Sequence, residues 1–321
     1  MSKSDLPQKK GLTHAQLMTT KLPEIEFVIR NVLPEGLTVL AGMPKARKSF
    51  LGLNFSIAVS SGCLALDYEL TSKGRVLHLS LEDGLKRLKK RAPIMSGGEP
   101  LNNLHFFTEW RRLDDGGLND FESWMLDYPD TKLIVIDTLT KIWPLKTKHV
   151  EGTTLYHSDY EVGDKLKKLA AHYGIAILHV YHLNKQTSAD DPLKEIQGSL
   201  GMSAAPDTVL ILKRPRESDI GTLFITGRDI EEERFETLEF DRSRLWWHLV
   251  EGARGLGAIS DAQVEIIKIM RSFGKPIKLK ELSEALGKSS PATSRLVRDI
   301  MRNEDLIEKV GYGLYAVKDI I

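Results

Sequence analysis

Short apolar runs alternate with amphipathic segments along most of this chain, the pattern of strands buried on both faces and of helices that cover them. Leu37–Ala41 (LTVLA), Arg75–Leu81 (RVLHLSL), Leu133–Asp137 (LIVID) and Ile175–Tyr181 (IAILHVY) read as central strands, with Leu104–Phe107 as a shorter one. Between them, Phe50–Ser60, Gly84–Arg91 and Phe121–Leu126 read as helices. Ser158–Tyr173 is a further helix, because Val162, Leu166, Leu169 and Tyr173 share a face and Gly174 stops it. Thr208–Leu212 and Leu223–Thr226 are predicted strands, and Phe235–Phe240 with Leu245–Leu249 completes an antiparallel edge. The alternation predicts an α/β fold: a mainly parallel sheet with helices on both faces. Ligands of such sheets sit beyond the carboxyl ends of the strands, so the polar residues after LHLSL, LIVID and ILHVY converge on one site.

The flanks differ in pattern. Residues 1–20 are polar and read as a flexible leader, and a short apolar segment, Ile25–Ile29, precedes the first central strand. Residues 251–257 (EGARGLG) carry three glycines without periodicity and read as a linker. Beyond it, Ser260 and Gln263 form a capping-box signature for a helix to Phe273. Leu279–Leu286 is a second helix ended by Gly287, and Pro291 after Ser290 opens a third to Arg302. Ile307–Val310 and Leu314–Val317 flank a Gly311-Tyr312-Gly313 turn. Three helices and a hairpin predict a winged helix-turn-helix domain over 258–321, behind an α/β domain over 21–250.

Composition narrows the class. The chain has 321 residues, 41% of them hydrophobic and 28% charged, as in a soluble globular protein. No apolar run is long enough to span a membrane, and the N-terminal sequence lacks a signal-peptide core. With Cys63 as the one cysteine, an intramolecular disulfide is excluded, which fits a cytoplasmic setting. The formal net charge is +1, so a nucleic-acid partner would need a local patch or a groove shared by several subunits.

The strongest chemical signal lies between the first central strand and the first helix. Gly42-Met43-Pro44-Lys45-Ala46-Arg47-Lys48-Ser49, followed by Phe50, matches G-x-x-x-x-G-K-[ST] at Gly42, Lys48 and Ser49. Backbone N–H groups and the helix N-terminus would cradle the phosphates of ATP, Lys48 would reach the β- and γ-phosphates, and Ser49 would hold Mg²⁺. Arg47 replaces the second glycine, adding bulk and charge where close approach to phosphate is needed. The bland alternative is a basic turn that merely resembles the motif.

Asp137 at the end of LIVID stands where a Walker B acid orients Mg²⁺; otherwise it is an ordinary strand-ending aspartate. Glu82 and Asp83 follow LHLSL. Glu82 is the candidate base for the attacking water, whereas Asp83 better suits a helix N-terminal acid. His182 and Lys185 follow ILHVY, and His182 is a candidate γ-phosphate sensor, as against a structural histidine. Gln197-Gly198-Ser199 lies further along the same loop region. His179 falls inside the strand and reads as packed. Arg228, in Thr226-Gly227-Arg228-Asp229, would serve as a trans arginine finger, or else pair at the surface with Asp229 or Glu231.

Taken in order, LAGMPKARKSF, VLHLSLEDGLKRLKKR, LIVIDTL, LHVYHLNK, QGSLGMSAAPDTVLIL and FITGRDIEEE make residues 25–250 resemble the AAA_25, or RepA-like, branch of hexameric RecA-fold ATPases and helicases. The resemblance implies Lys48 and Ser49 as phosphate and Mg²⁺ contacts, Glu82 as base, Asp137 as Walker B, His182 as sensor and Arg228 as inter-subunit finger. Tyr181 departs from the family pattern, in which a second histidine is common. The resemblance also implies a homo-hexameric ring around single-stranded DNA, with Lys185, the loop Gln186–Ile196 and the loop Lys146–His157 facing the channel.

In the C-terminal domain, Ser294, Arg295, Arg298 and Arg302 would face duplex DNA, with Tyr312 on the wing. Residues 258–321 hold 11 Lys+Arg against 9 Asp+Glu, a net of +2, so a replication protein is an alternative partner. The expected function is an ATP-dependent helicase or helicase-like replication factor of a plasmid, phage or mobile element. A nucleotide-gated DNA-binding regulator or loader that does not translocate is the alternative. A metabolite kinase is disfavoured, because small-molecule transfer requires neither the GRD segment nor the appended domain.

Overall fold

The structure, a computed structural model, describes residues 11–21, 24–66, 72–144, 155–183, 206–254, 261–303 and 306–318. Its strands are β1 (Phe27–Ile29), β2 (Leu33–Pro34), β3 (Gly36–Gly42), β4 (Arg75–Ser80), β5 (Leu104–Phe107), β6 (Thr131–Asp137), β7 (Ala176–His182), β8 (Thr208–Lys213), β9 (Ile220–Gly227), β10 (Arg234–Asp241) and β11 (Trp246–Arg254). The helices among them are α1 (His14–Thr19), α2 (Lys48–Ser61), α3 (Leu85–Met95), α4 (Leu118–Asp127) and α5 (Leu155–Tyr173).

Among the described residues, the main sheet runs β11-β10-β9-β8-β3-β7-β6-β4-β5. The six strands from β8 to β5 are parallel, and β9, β10 and β11 extend the sheet antiparallel. Side chains of β3, β4, β6, β7 and β8 are buried on both faces, as the unbroken apolar runs require, whereas β5 at the sheet edge is only partly buried. On one face, Leu51, Phe55 and Val59 of α2 and Leu88 of α3 pack against the sheet together with Trp246 and Trp247 of β11. On the other face, Phe121 and Trp124 of α4 and Val162, Leu166 and Leu169 of α5 do the same. The fold is therefore the α/β core expected from the alternation.

Some expected boundaries change. The leader is not uniformly irregular: His14–Thr19 is helical, started by a capping box in which the Thr13 hydroxyl accepts from the Gln16 N–H at 3.2 Å. Its local bonds suffice for a helix, since none of its residues is buried. Glu251–Arg254, within the expected linker, instead continue β11, and Arg254 pairs with Glu236; residues 255–257 lie outside the described residues. The antiparallel part is also larger than two strands. β9 starts at Ile220, where Gly221 interrupts the hydrophobic pattern. A Cβ there would meet the Trp247 ring at 3.1 Å, so the glycine makes room for the tryptophan.

The C-terminal segment contains α6 (Asp261–Phe273), β12 (Ile277–Lys278), α7 (Leu279–Ala285), α8 (Ser290–Asn303), β13 (Ile307–Gly311) and β14 (Leu314–Val317). Its sheet runs β12-β14-β13, so the hairpin acquires a third strand that periodicity did not predict. Val264, Ile267, Met270, Leu282, Val297, Ile300 and Leu306 form its core, and Ile220 and Val250 of the large sheet belong to the same cluster. Lys268 of α6 pairs with Glu239 of β10. Ser260 lies outside the described residues. Among the described residues, no helix is long and apolar enough to cross a membrane.

Candidate functional site

β3 delivers Gly42 to the carboxyl edge of the parallel strands, and the chain turns through residues 43–47 directly into α2. Gly42 is required by close approach. A Cβ would lie 2.4 Å from the Leu212 carbonyl oxygen of β8 and 3.3 Å from Lys48 Cδ. Ala46 is buried and its N–H bonds the Met43 carbonyl at 3.2 Å, while Pro44 and Lys45 are exposed. The Lys48 ammonium is buried and donates to the carbonyls of Gly42 (2.7 Å) and Met43 (3.0 Å) and to His182 Nδ1 (3.1 Å). Burial pulls its pKa down to about 8, against the opposing pull of Asp137 and Glu82.

The acids arrive from neighbouring strand tips. Asp137 ends β6 and is 5% exposed. Burial raises its pKa to about 6, although a hydrogen bond from Ser49 and the nearby Lys48 charge oppose this. Its Oδ1 is buried with no hydrogen-bond partner. Glu82, just past β4, is half-exposed; its Oε1 accepts from the Thr138 hydroxyl at 3.2 Å, and its Oε2 lies 3.7 Å from His182 Nε2. Because an ammonium only donates, His182 Nδ1 must accept, leaving the proton on Nε2, the atom facing Glu82. Burial, then Lys48, hold the His182 pKa below its ordinary value, so the ring is neutral near pH 7. Lys48, His182, Glu82, Thr138, Asp137 and Ser49 thus form one connected group, assembled from β3–α2, β4, β6 and β7.

A cavity of about 340 Å³ opens beside Lys48, Ser49 and His182 of this group. It is lined by Lys45, Arg47, Lys48, Ser49, Phe50, Asp83, Arg91, His182 and Arg214. Five of these nine side chains are cationic, a lining that suits a polyphosphate. The orphaned Asp137 oxygen beside the Ser49 hydroxyl fits a hard divalent cation such as Mg²⁺, which takes few protein oxygens and completes its shell with water and phosphate. Among the described residues, no cluster of three or more histidine, cysteine or carboxylate ligands offers a rival metal site.

Arg47 does not fill the cavity. Its backbone is left-handed, with φ 68° and ψ 31°, at the N-cap of α2. The guanidinium turns toward the antiparallel strands, 2.8 Å from Asp219 Oδ1 and 4.0 Å over the Phe240 ring. The bulk and charge expected of Arg47 thus stay in the cavity lining, held on the side of the antiparallel strands.

Asp83 behaves as the helix-terminal acid, pairing with Arg87 (2.6 Å) and with Arg91. His179 is fully buried inside β7, and burial lowers its pKa to about 3, so it stays neutral. Arg228 lies elsewhere. Gly227 pairs with Thr208, which aligns with Thr38, so Arg228 sits near the amino ends of the parallel strands, away from its own Lys48. Its surface partner is Asp207, at 3.7 Å, rather than Asp229 or Glu231. Asp207 is brought near by the backbone bond from the Arg228 N–H to its carbonyl, 2.9 Å long. Arg295, Arg298 and Arg302 are exposed along α8, Ser294 is partly exposed, and the Tyr312 ring is fully exposed. Lys185, Gln186–Ile196 and Gln197-Gly198-Ser199 lie outside the described residues; of Lys146–His157, residues 155–157 belong to α5.

Sequence reading missed Thr138, Arg91 and Arg214. Arg214 follows β8, a parallel strand whose carboxyl tip reaches the same edge, so the rule applied to the other tips would have found it. Arg91 lies eight residues after Asp83, on the same helix face, and that spacing was its signal.

The parallel order, the phosphate-type loop and the strand-tip acids define a RecA-fold ATPase. The chain belongs to the AAA_25 family of AAA domains, whose model matches residues 4–188. Its fold is similar to that of an ATPase domain of known structure, at 16% identity and TM-score 0.54, over 67% of this chain and 84% of that one. It is also similar to a DnaB-like replicative helicase solved for its interactions with primase, at 14% identity and TM-score 0.53, over 69% of this chain and 57% of that one. No curated protein matches the chain.

Proposed function

We propose that the chain is an ATP-dependent DNA helicase or helicase-like replication factor. The observation that carries this reading is a cationic cavity lined by Lys48, Ser49 and His182, with Glu82 facing His182 and Asp137 bonded by Ser49 at the same carboxyl edge. In this reading the loop from Gly42 to Phe50 binds the triphosphate, and Lys48 exchanges its carbonyl partners for the β- and γ-phosphates. Ser49 and Asp137 hold Mg²⁺, which when bound offsets the charge of the phosphates. Glu82 orients water and accepts its proton. His182, bonded to Lys48 and facing Glu82, senses whether the γ-phosphate is present. Arg228, remote from its own loop and exposed, serves the site of an adjacent subunit in a homo-hexameric ring.

Single-stranded DNA would pass through the ring, along the segment containing Lys185. Residues 258–321 form a winged helix-turn-helix in which Arg295, Arg298 and Arg302 contact duplex DNA or a replication protein. A role in a plasmid, phage or mobile element is what the family resemblance implies, and the single cysteine, Cys63, fits a cytoplasmic setting. The test is ATP turnover with and without single-stranded DNA, beside unwinding of a forked duplex, in the native chain and in Lys48→Ala. DNA-stimulated turnover and unwinding, both lost in Lys48→Ala, are expected. Nucleotide binding without strand separation would instead favour the second reading, a nucleotide-gated switch or loader, for which Arg47 in place of glycine is the motivating observation.

A further inference from the structure

Arg47 adopts a left-handed backbone, a conformation that costs a side-chain-bearing residue roughly 1–2 kcal/mol. The surroundings show what offsets it. Asp219, at the entry to β9, bonds the guanidinium at 2.8 Å, and the Phe240 ring of β10 lies beneath it. Trp247 Nε1 of β11 donates to the Arg47 carbonyl at 3.4 Å, which fixes the same peptide from a third strand. Arg242 holds Asp219 in place through its other oxygen, at 2.6 Å. The salt bridge is partly shielded, with the two side chains 19% and 32% exposed. Phe240 also meets Phe50, the residue after Ser49, edge to face at 5.3 Å.

We infer that Asp219 is a positioning residue for the phosphate loop: with Phe240 and Trp247 it clamps Arg47 in the left-handed conformation that glycine would adopt unaided. The antiparallel extension thereby takes part in nucleotide binding without touching the nucleotide. The loop is completed by β9, β10 and β11, and its shape depends on strands that lie outside the parallel core. This inference rests on the proposed nucleotide site, and its test separates the two.

The experiment is a double-mutant cycle read by direct titration with a fluorescent non-hydrolysable ATP analogue, on the full chain, with melting recorded for each variant. Asp219→Ala should weaken binding about 5- to 30-fold, the factor that corresponds to releasing Arg47 from its strained well. In the Arg47→Gly background the same substitution should have no further effect, because nothing remains to be clamped. Asp219→Asn, which keeps the shape and one acceptor, should lie between the native chain and Asp219→Ala. A merely structural role for Asp219 predicts equal losses in both backgrounds. Equal losses, or no loss in the native background, would overturn the clamp. If Lys48→Ala leaves binding unchanged, the nucleotide site itself is wrong and the clamp falls with it.

Discussion

Asp137→Asn separates what the site needs from what the fold prefers. The carboxyl is buried, its Oδ1 has no partner, and its pKa stands at about 6 instead of 3.8. Unfolding restores the ordinary value. Between pH 3.8 and 6 the native chain therefore holds a proton that the unfolded chain has released, and stability falls as pH rises through that window. Above it the whole penalty remains, about 3 kcal/mol for the gap between those two values, taken as an upper bound. Asparagine carries no charge to bury, and its carbonyl oxygen still accepts from Ser49. Without metal or nucleotide at pH 7.5, Asp137→Asn should thus be more stable than the native chain by about 1–3 kcal/mol, read as a higher melting midpoint and a higher denaturant midpoint. The advantage should shrink to about half near pH 5 and vanish below the ordinary carboxylate pKa. Mg²⁺-dependent nucleotide binding should move the other way, weakening by about 10- to 100-fold. Equal or lower stability of Asp137→Asn at pH 7.5, or an advantage that ignores pH, would refute the claim that this aspartate is held charged, with one oxygen unpartnered, for a cation.

Glu82→Gln should keep nucleotide binding while single-turnover hydrolysis slows by about 10²- to 10⁴-fold, because the amide still accepts from Thr138 but takes no proton. Gly42→Ala should destabilise the chain by about 1–3 kcal/mol, since its Cβ meets backbone at 2.4 Å; a melting curve matching the native one would contradict the packing. Nucleotide affinity measured across pH should decline as the pH rises through about 8, where Lys48 loses its proton. Arg295→Ala with Arg298→Ala should flatten the log–log salt dependence of duplex binding by about 0.9 for each phosphate no longer neutralised, and an unchanged slope would point to a protein partner for α8.

Much of the fold follows from local pattern alone. A strand buried on both faces must be a continuous apolar run, so LIVID and IAILHVY declare themselves without any knowledge of their neighbours, and the polar residue ending each run is a site candidate by topology. Lys48, Glu82, Asp137 and His182 were legible for that reason: each is adjacent in sequence to the element that aims it. Arg214 was equally legible at its strand tip. β12 was not, because two residues carry no period, and the start of β9 was hidden by Gly221, whose missing side chain makes sense only against Trp247.

What tertiary structure decided is everything that depends on residues far apart in sequence. The chain itself determined that a phosphate-type loop would meet α2 with an arginine where glycine is usual. It did not determine where that arginine goes. Asp219 lies 172 positions away from Arg47, and only the antiparallel return of β9 and β10 sets it and Phe240 beside the loop. The same holds for charge. Composition counts Asp137 as an ordinary carboxylate, but the sheet that buries it raises its pKa to about 6 and leaves one oxygen unpartnered. Short-range order follows from backbone sterics and hydrophobic period, whereas solvent exclusion and ion pairing are properties of the packed whole.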